Sequence, residues 1–202
     1  MSASVPQFSA RRTKSYAAGA LVVTNGIKTS IASVAAPVTY VLADFNGTSH
    51  TAGVLDLPRT ITISRSSVAN QYSTNPIVVT GTRGGVTVTD SIAQPNDDGN
   101  DTLRGVQLFD TIVSVAIPTN LGTGGAFTIG VGDIGAPYGR TFTMVKLHAN
   151  GPLNVQFGEA AGSHTDAIPC LADAKEPVAA ARILTNPGLA TPTVAGLTVY
   201  MG

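Results

Sequence analysis

The chain has 202 residues, with 12 basic and 12 acidic side chains and a formal net charge of zero. Charged residues make up 12% of it, about half the share of an ordinary soluble domain, while hydrophobic residues reach 43%. This balance excludes the dense basic face that phosphate neutralisation needs, so no nucleic-acid partner is expected, and it leaves little repulsion to keep copies apart.

Residues 1–15 are rich in Ser, Arg and Thr, with Val5, Pro6 and Phe8 as apolar anchors and Arg11, Arg12 and Lys14 as a basic cluster. They read as an extended arm that drapes over a neighbour and orders only in an assembly. The arm lacks the apolar stretch and small-residue cleavage site of a secretory leader, and no run approaches the ~18 apolar residues of a membrane span. Synthesis in a cytoplasm and no membrane partner are therefore expected. One cysteine, Cys170, rules out an internal disulfide and sits in the apolar sequence Ala-Ile-Pro-Cys-Leu-Ala.

Strand-like runs follow at 20–23, 31–35, 38–42 and 60–63, separated by Asn25-Gly26, Pro37, Asn46-Gly47 and Leu57-Pro58. Asn-Gly tolerates positive φ at both positions, so both dipeptides predict hairpin turns. Residues 65–76 are polar and irregular and read as a loop. The strongest strands come next, at 77–82, 86–92, 107–117 and 127–131, where Val, Ile and Thr recur at a two-residue period. Val86 and Val88 share one face and Thr87 and Thr89 the other, with Gly84-Gly85 as the tight turn before them. Leu108, Ile112 and Val115 do not hold one parity, which predicts a bulge or a two-sided strand. Leu121-Gly-Thr-Gly-Gly turns the chain, and residues 130–139 read as a Gly-rich linker with a soft boundary near 133–139.

Further strands are expected at 140–149, 153–157, 182–184 and 197–200, with Asn150-Gly151-Pro152 as a turn. A short helical turn is expected near 172–180, limited by Pro177. The fold class is thus all-β: an antiparallel β-sandwich or jelly-roll-like fold, or two small β domains. The expected division is an arm at 1–15, a sandwich at 16–134, and a second subdomain or continuation of the sandwich at 135–202. At this length a chain buries roughly 70% of its unfolded surface, enough for a core without staples.

No catalytic or cofactor-binding residue emerges. Of the three histidines, His50, His148 and His164, none stands in a His-x-x-x-His spacing, and no Cys-x-x-Cys exists. Ser163, His164 and Asp166 lie within one short stretch, whereas a triad gathers its groups from separate elements. Asp97, Asp98 and Asp101 cluster oxygen ligands around a glycine, as a hard cation favours. They lack the spacing of a calcium loop and read as a solvated hairpin, so no metal is expected. Gly122-Thr-Gly-Gly125 is followed by neither Gly-Lys-Ser/Thr nor a helix that would hold a phosphate. Tyr40, Tyr72 and Tyr138 are the candidates for a sugar platform, while Phe109, Phe127, Phe142 and Phe157 are expected in the core.

One stretch carries a likeness. A Thr-Gly-Thr strand, a Gly turn, Val-Thr-Val-Thr-Asp-Ser-Ile, an Asn-rich loop and Leu-Phe-Asp-Thr-Ile-Val-Ser-Val resemble a pattern in structural proteins of tailed bacteriophages. Those relatives read Thr-Gly-Thr, Gly, Thr-Glu-Thr-Ile, a Gly-Pro-Asn loop and Phe-Lys-Thr-Val-Thr-Ser-Ile. The likeness covers residues 77–131; Asp90 stands for the common glutamate, Gln94-Pro95-Asn96 for the Gly-Pro-Asn loop and Asp110 for a lysine. Residues 141–158 are similar to a strand pair of virion surface or decoration domains. The resemblance implies a non-enzymatic, multi-copy virion protein of the decoration or cement type, made in the host bacterial cytoplasm. Its implied partners are the major capsid protein, other virion proteins and further copies of itself, as a trimer or another homo-oligomer. Val5, Phe8, Arg11, Arg12 and Lys14 would then be partner-binding residues. The alternative within the same resemblance is a tail, fibre-base or receptor-recognition module.

Overall fold

A computed structural model describes residues 12–17, 23–32, 35–66, 72–95, 100–147, 151–157, 165–170, 175–184 and 196–201. The fold is all-β and antiparallel. β1 (Arg12–Ala17), β2 (Val23–Ala32) and β3 (Val38–Val41) come first, followed by a 3-10 turn at Leu42–Asp44. β4 (Val54–Ser66), β5 (Ile77–Arg83), β6 (Val86–Ile92), β7 (Thr102–Arg104), β8 (Phe109–Ile117) and β9 (Ala126–Gly135) continue the chain. β10 (Phe142–Leu147), β11 (Gly151–Gln156), β12 (Thr165–Cys170), β13 (Lys175–Ala180), β14 (Arg182–Ile183) and β15 (Gly196–Met201) complete it.

In the first part the pairings resolve into two layers, β2-β9-β4-β7 and β3-β8-β5-β6, joined at the corner where β4 meets β8. Alternation sends one set of side chains into the space between them: Ile61 and Ile63, Ile77 and Val79, Phe109, Ile112 and Val115, Phe127, Ile129 and Val131. Each such side chain contributes roughly 1.5–3 kcal/mol of burial free energy, which makes this core the main source of stability. A second core lies between the sheet β1-β15-β10-β13 and the run β9-β14-β11. Phe142, Val145, Leu153, Val155, Ile183, Leu197 and Val199 fill it, joined by Leu57 of β4 and Ile134 of β9. The two cores therefore share strands.

Several local expectations hold for a visible reason. Gly84 and Gly85 have φ of 58° and 80°, the primed turn that joins β5 to β6 without splaying them. The mixed parity before Val115 is a bulge: the β5–β8 register shifts between Thr80 and Gly81, and Val113 is pushed out to 48% exposure.

Others are corrected. Residues 12–15 are not a free arm. They belong to β1, which pairs along its whole length with the chain's own C-terminal strand β15, from Arg12↔Met201 to Ala17↔Gly196. Without β1 the edge of β15 would leave a row of backbone groups unpaired. Residues 1–11, including Val5, Phe8 and Arg11, lie outside the described residues. The 130–139 linker is largely β9, one of the longest strands; its glycines mark close approach, since a Cβ on Gly130 would collide with the Val23 carbonyl. The helical turn near 172–180 is instead β13, where Pro177 sits opposite Met144 on an edge strand that tolerates its missing N–H. The expected loop at 65–76 begins later, because β4 runs on to Ser66.

Neither Asn-Gly pair makes a hairpin. Asn25-Gly26 lies within β2, and the loop holding Asn46-Gly47 is clasped onto it. Gly47 N–H donates to the Ile27 carbonyl at 2.8 Å, Thr48 N–H to Asn25 at 3.1 Å and His50 N–H to Gly26 at 2.8 Å. A Cβ on Gly47 would collide with the Gly26 backbone, so the glycine is there to let two chain segments touch.

Candidate interaction surface

Folding takes five basic residues inward. Arg59, Arg65, Arg83, Arg182 and Lys28 are all buried, out of only 12 basic residues in the chain. Arg65 donates from Nε and Nη2 to both oxygens of Asp101, at 2.7 and 2.8 Å, and from Nη1 to the Pro95 carbonyl at 2.8 Å. Its guanidinium also stacks 4.7 Å over the Tyr72 ring. Arg83 donates to Asp110 at 3.1 Å and to the Ala136 carbonyl at 2.7 Å, tying β5 to the segment after β9. Arg182 reaches the Val106 carbonyl at 2.9 Å. A paired, hydrogen-bonded arginine is an internal strut, and its charge no longer reaches the surface.

His50 joins such a strut. It is 9% exposed; its Nδ1 lies 2.8 Å from Ser49 Oγ and its Nε2 3.6 Å from Asp56 Oδ1. Asp56 also accepts from Arg59 Nε at 3.1 Å and Nη2 at 3.3 Å, and Arg59 Nη1 donates to the Gly132 carbonyl. Only the folding of the loop back onto β2 reveals the chain Ser49, His50, Asp56, Arg59. Asp56 is engaged by Arg59, and the Gly47, Thr48, Ser49 and His50 amides all donate to β2 carbonyls, so that segment offers no oxyanion donors. The arrangement pins the 46–53 loop to β2 and β4.

The remaining sequence candidates separate. Asp101 is held by Arg65, which turns a candidate cation ligand into half of an ion pair; Asp97 and Asp98 lie outside the described residues, as do Ser163, His148 and His164. No group of three or more His, Cys, Asp or Glu able to hold a metal occurs among the described residues. Tyr72 is no sugar platform: it is fully buried, its hydroxyl 2.9 Å from the Ser66 and Ala126 carbonyl oxygens and its ring 5.0 Å from Phe127. Tyr40 is half-buried with Lys28 Nζ 5.0 Å above its ring; burial raises its phenol above the ordinary value, and Asp44 adds to this. Tyr138 is exposed, beside Arg83. Phe157, expected in the core, is 41% exposed, because it follows the last residue of β11. Lys14 stands on β1 opposite Val199, and Arg12 opposite Met201.

What the described surface shows instead is an apolar group. Val41, Leu42, Val54 and Val113 are all exposed, and the register brings them to one corner. Val41 pairs with Ser114 and Val54 with Thr111, on either side of Val113, while Leu42 packs over Gly53. Scattered exposed apolar residues need no explanation; these four are grouped rather than scattered. No helix among the described residues is long and apolar enough to cross a membrane. Comparison with protein-family models, curated proteins and solved structures found no match.

Proposed function

We propose that this chain is a multi-copy structural protein of a tailed-phage virion, binding the capsid surface and stabilising its joints. The observation that carries the reading is the burial of Arg59, Arg65, Arg83 and Arg182. A chain with few charges uses several of them as internal struts, and its surface carries an apolar corner at Val41, Leu42, Val54 and Val113. Such a surface has little charge to desolvate when it is covered, so packing against a neighbour costs little and adds stability only in the assembled state. The likeness of residues 77–131 to phage structural proteins supplies the setting.

Residues 1–11, with Val5, Phe8 and Arg11, are the strap in this reading, and β1 anchors it to the body through β15. Gold labelling and quantitative mass spectrometry of purified particles encoding the chain test both points. Many copies on the capsid are expected, and deletion of residues 1–11 lowers the copy number several-fold while the thermal midpoint of the free protein stays put. Absence of the chain from particles sinks the virion reading; full occupancy by the truncated chain sinks the strap.

A further inference from the structure

Sheet edges present rows of unpaired N–H and C=O groups, and proteins guard them with charge, proline, bulges or brevity. Most edges here are guarded. β1 carries Arg12 and Lys14, β12 contains Asp166 and Pro169, and β13 contains Lys175, Glu176 and Pro177. β2 is broken by register shifts, and β3 and β7 span only four and three residues.

Among the described strands β6 is the exception. Its seven residues, Val-Thr-Val-Thr-Asp-Ser-Ile, pair with β5 in unbroken register and include no Lys, Arg or Pro. The one charge, Asp90, is 4% exposed and turned inward, where it accepts from the Val106 and Gln107 amides at 2.7 and 3.0 Å. The two-glycine turn makes Arg83↔Val86 the first hydrogen-bonded pair, so residues 86, 88, 90 and 92 bond to β5. The N–H and C=O groups of Thr87, Thr89 and Ser91 then point to the outer edge, and among the described residues no strand pairs there.

We propose that β6 pairs with β6 of a second copy, antiparallel about a two-fold axis through Thr89. In that register Thr89 meets Thr89 and Thr87 meets Ser91, so each of the three gives and receives one backbone hydrogen bond. Hydroxyl faces hydroxyl across the exposed face, a favourable cross-strand pairing, and no charge meets a like charge because Asp90 falls opposite Val88 of the second copy. Val86, 64% exposed, comes beside Ile92 of the second copy. Self-pairing follows from the hydroxyl that each of the outward residues Thr87, Thr89 and Ser91 carries, which matches in either direction, and it holds for the free protein whether or not the chain belongs to a virion.

Sedimentation equilibrium of the full chain, wild type against Thr89→Lys, tests this. The wild type shows a concentration-dependent dimer, and two lysines facing each other at the axis raise its dissociation constant at least about tenfold. The thermal midpoint at low concentration is unchanged, since residue 89 is exposed in the monomer. Amide exchange at Thr87, Thr89 and Ser91 slows as the dimer forms. A monomer over the whole accessible range, a dimer indifferent to Thr89→Lys, or protection of these amides only when another virion protein is added overturns the proposal.

Discussion

At the residue scale this protein separates polar groups that are held from polar groups that are stranded. Arg65 is fully buried yet bidentate to Asp101, whereas Thr62 is fully buried with no hydrogen-bond partner for its Oγ1. Arg104, its cross-strand neighbour, is half-buried with an unpartnered Nη1; burial lowers its pKa against the attraction of Asp133. An unmade hydrogen bond costs more than a missing pair of partners. Thr62→Val, which keeps the shape and removes the hydroxyl, is therefore expected to raise stability by about 1 kcal/mol. Asp101→Asn, which leaves the buried Arg65 guanidinium facing a neutral amide, should lower it by about 1–3 kcal/mol. Urea unfolding of both variants reads the contrast; a destabilised Thr62→Val would show that its hydroxyl is satisfied after all.

At the scale of elements, the β5–β6 hairpin rests on backbone conformation that only a few residues adopt. Gly85 has φ of 80° and open space where a Cβ would stand, so Gly85→Ala isolates the conformational cost, about 1–2 kcal/mol. Gly84→Ala adds a clash with the Tyr138 ring, 2.7 Å from the new carbon, and should cost more. Thermal unfolding ranks the two; equal losses would mean Tyr138 moves freely aside. The hairpin was legible from Gly84-Gly85 because its strands are adjacent in sequence and the turn acts locally. The Asn-Gly pairs misled because Gly26 and Gly47 serve a contact between two segments, and glycine spells a turn and a close approach with the same letter.

At the scale of the whole molecule, two cores are welded by shared strands. β9 places Phe127, Ile129 and Val131 in one core and Ile134 in the other, while β4 contributes Ile61 and Ile63 to the first and Leu57 to the second. Loss of either core should therefore unfold both. Phe127→Ala and Phe142→Ala, one in each core, are each expected to cost about 3–5 kcal/mol and to lower a single calorimetric transition by roughly 2–4 °C per kcal/mol. Two resolved transitions in either variant would show that the cores melt separately. The Gly-rich run at 130–139 read as a linker because its glycines lower the apparent strand signal; in the fold Gly130 faces the backbone of Val23 and Thr24, while Gly132 and Gly135 make room for the side chains of Thr60 and Leu108.

Alternation of Val, Ile and Thr was enough by itself to make this chain an all-β protein, since a two-residue period can bury one face only in an extended strand. The same letters located β5, β6 and β8, and the mixed parity in β8 left a bulge or a two-sided strand open, of which the structure has the bulge. Tertiary structure alone decided that β1 closes on β15, that His50 meets Asp56 and Arg59, and that Tyr72, Arg59, Arg65, Arg83 and Arg182 go inside. Those outcomes depend on which distant segments become neighbours, and pairing energy between residues far apart in the chain leaves no periodic mark on either of them.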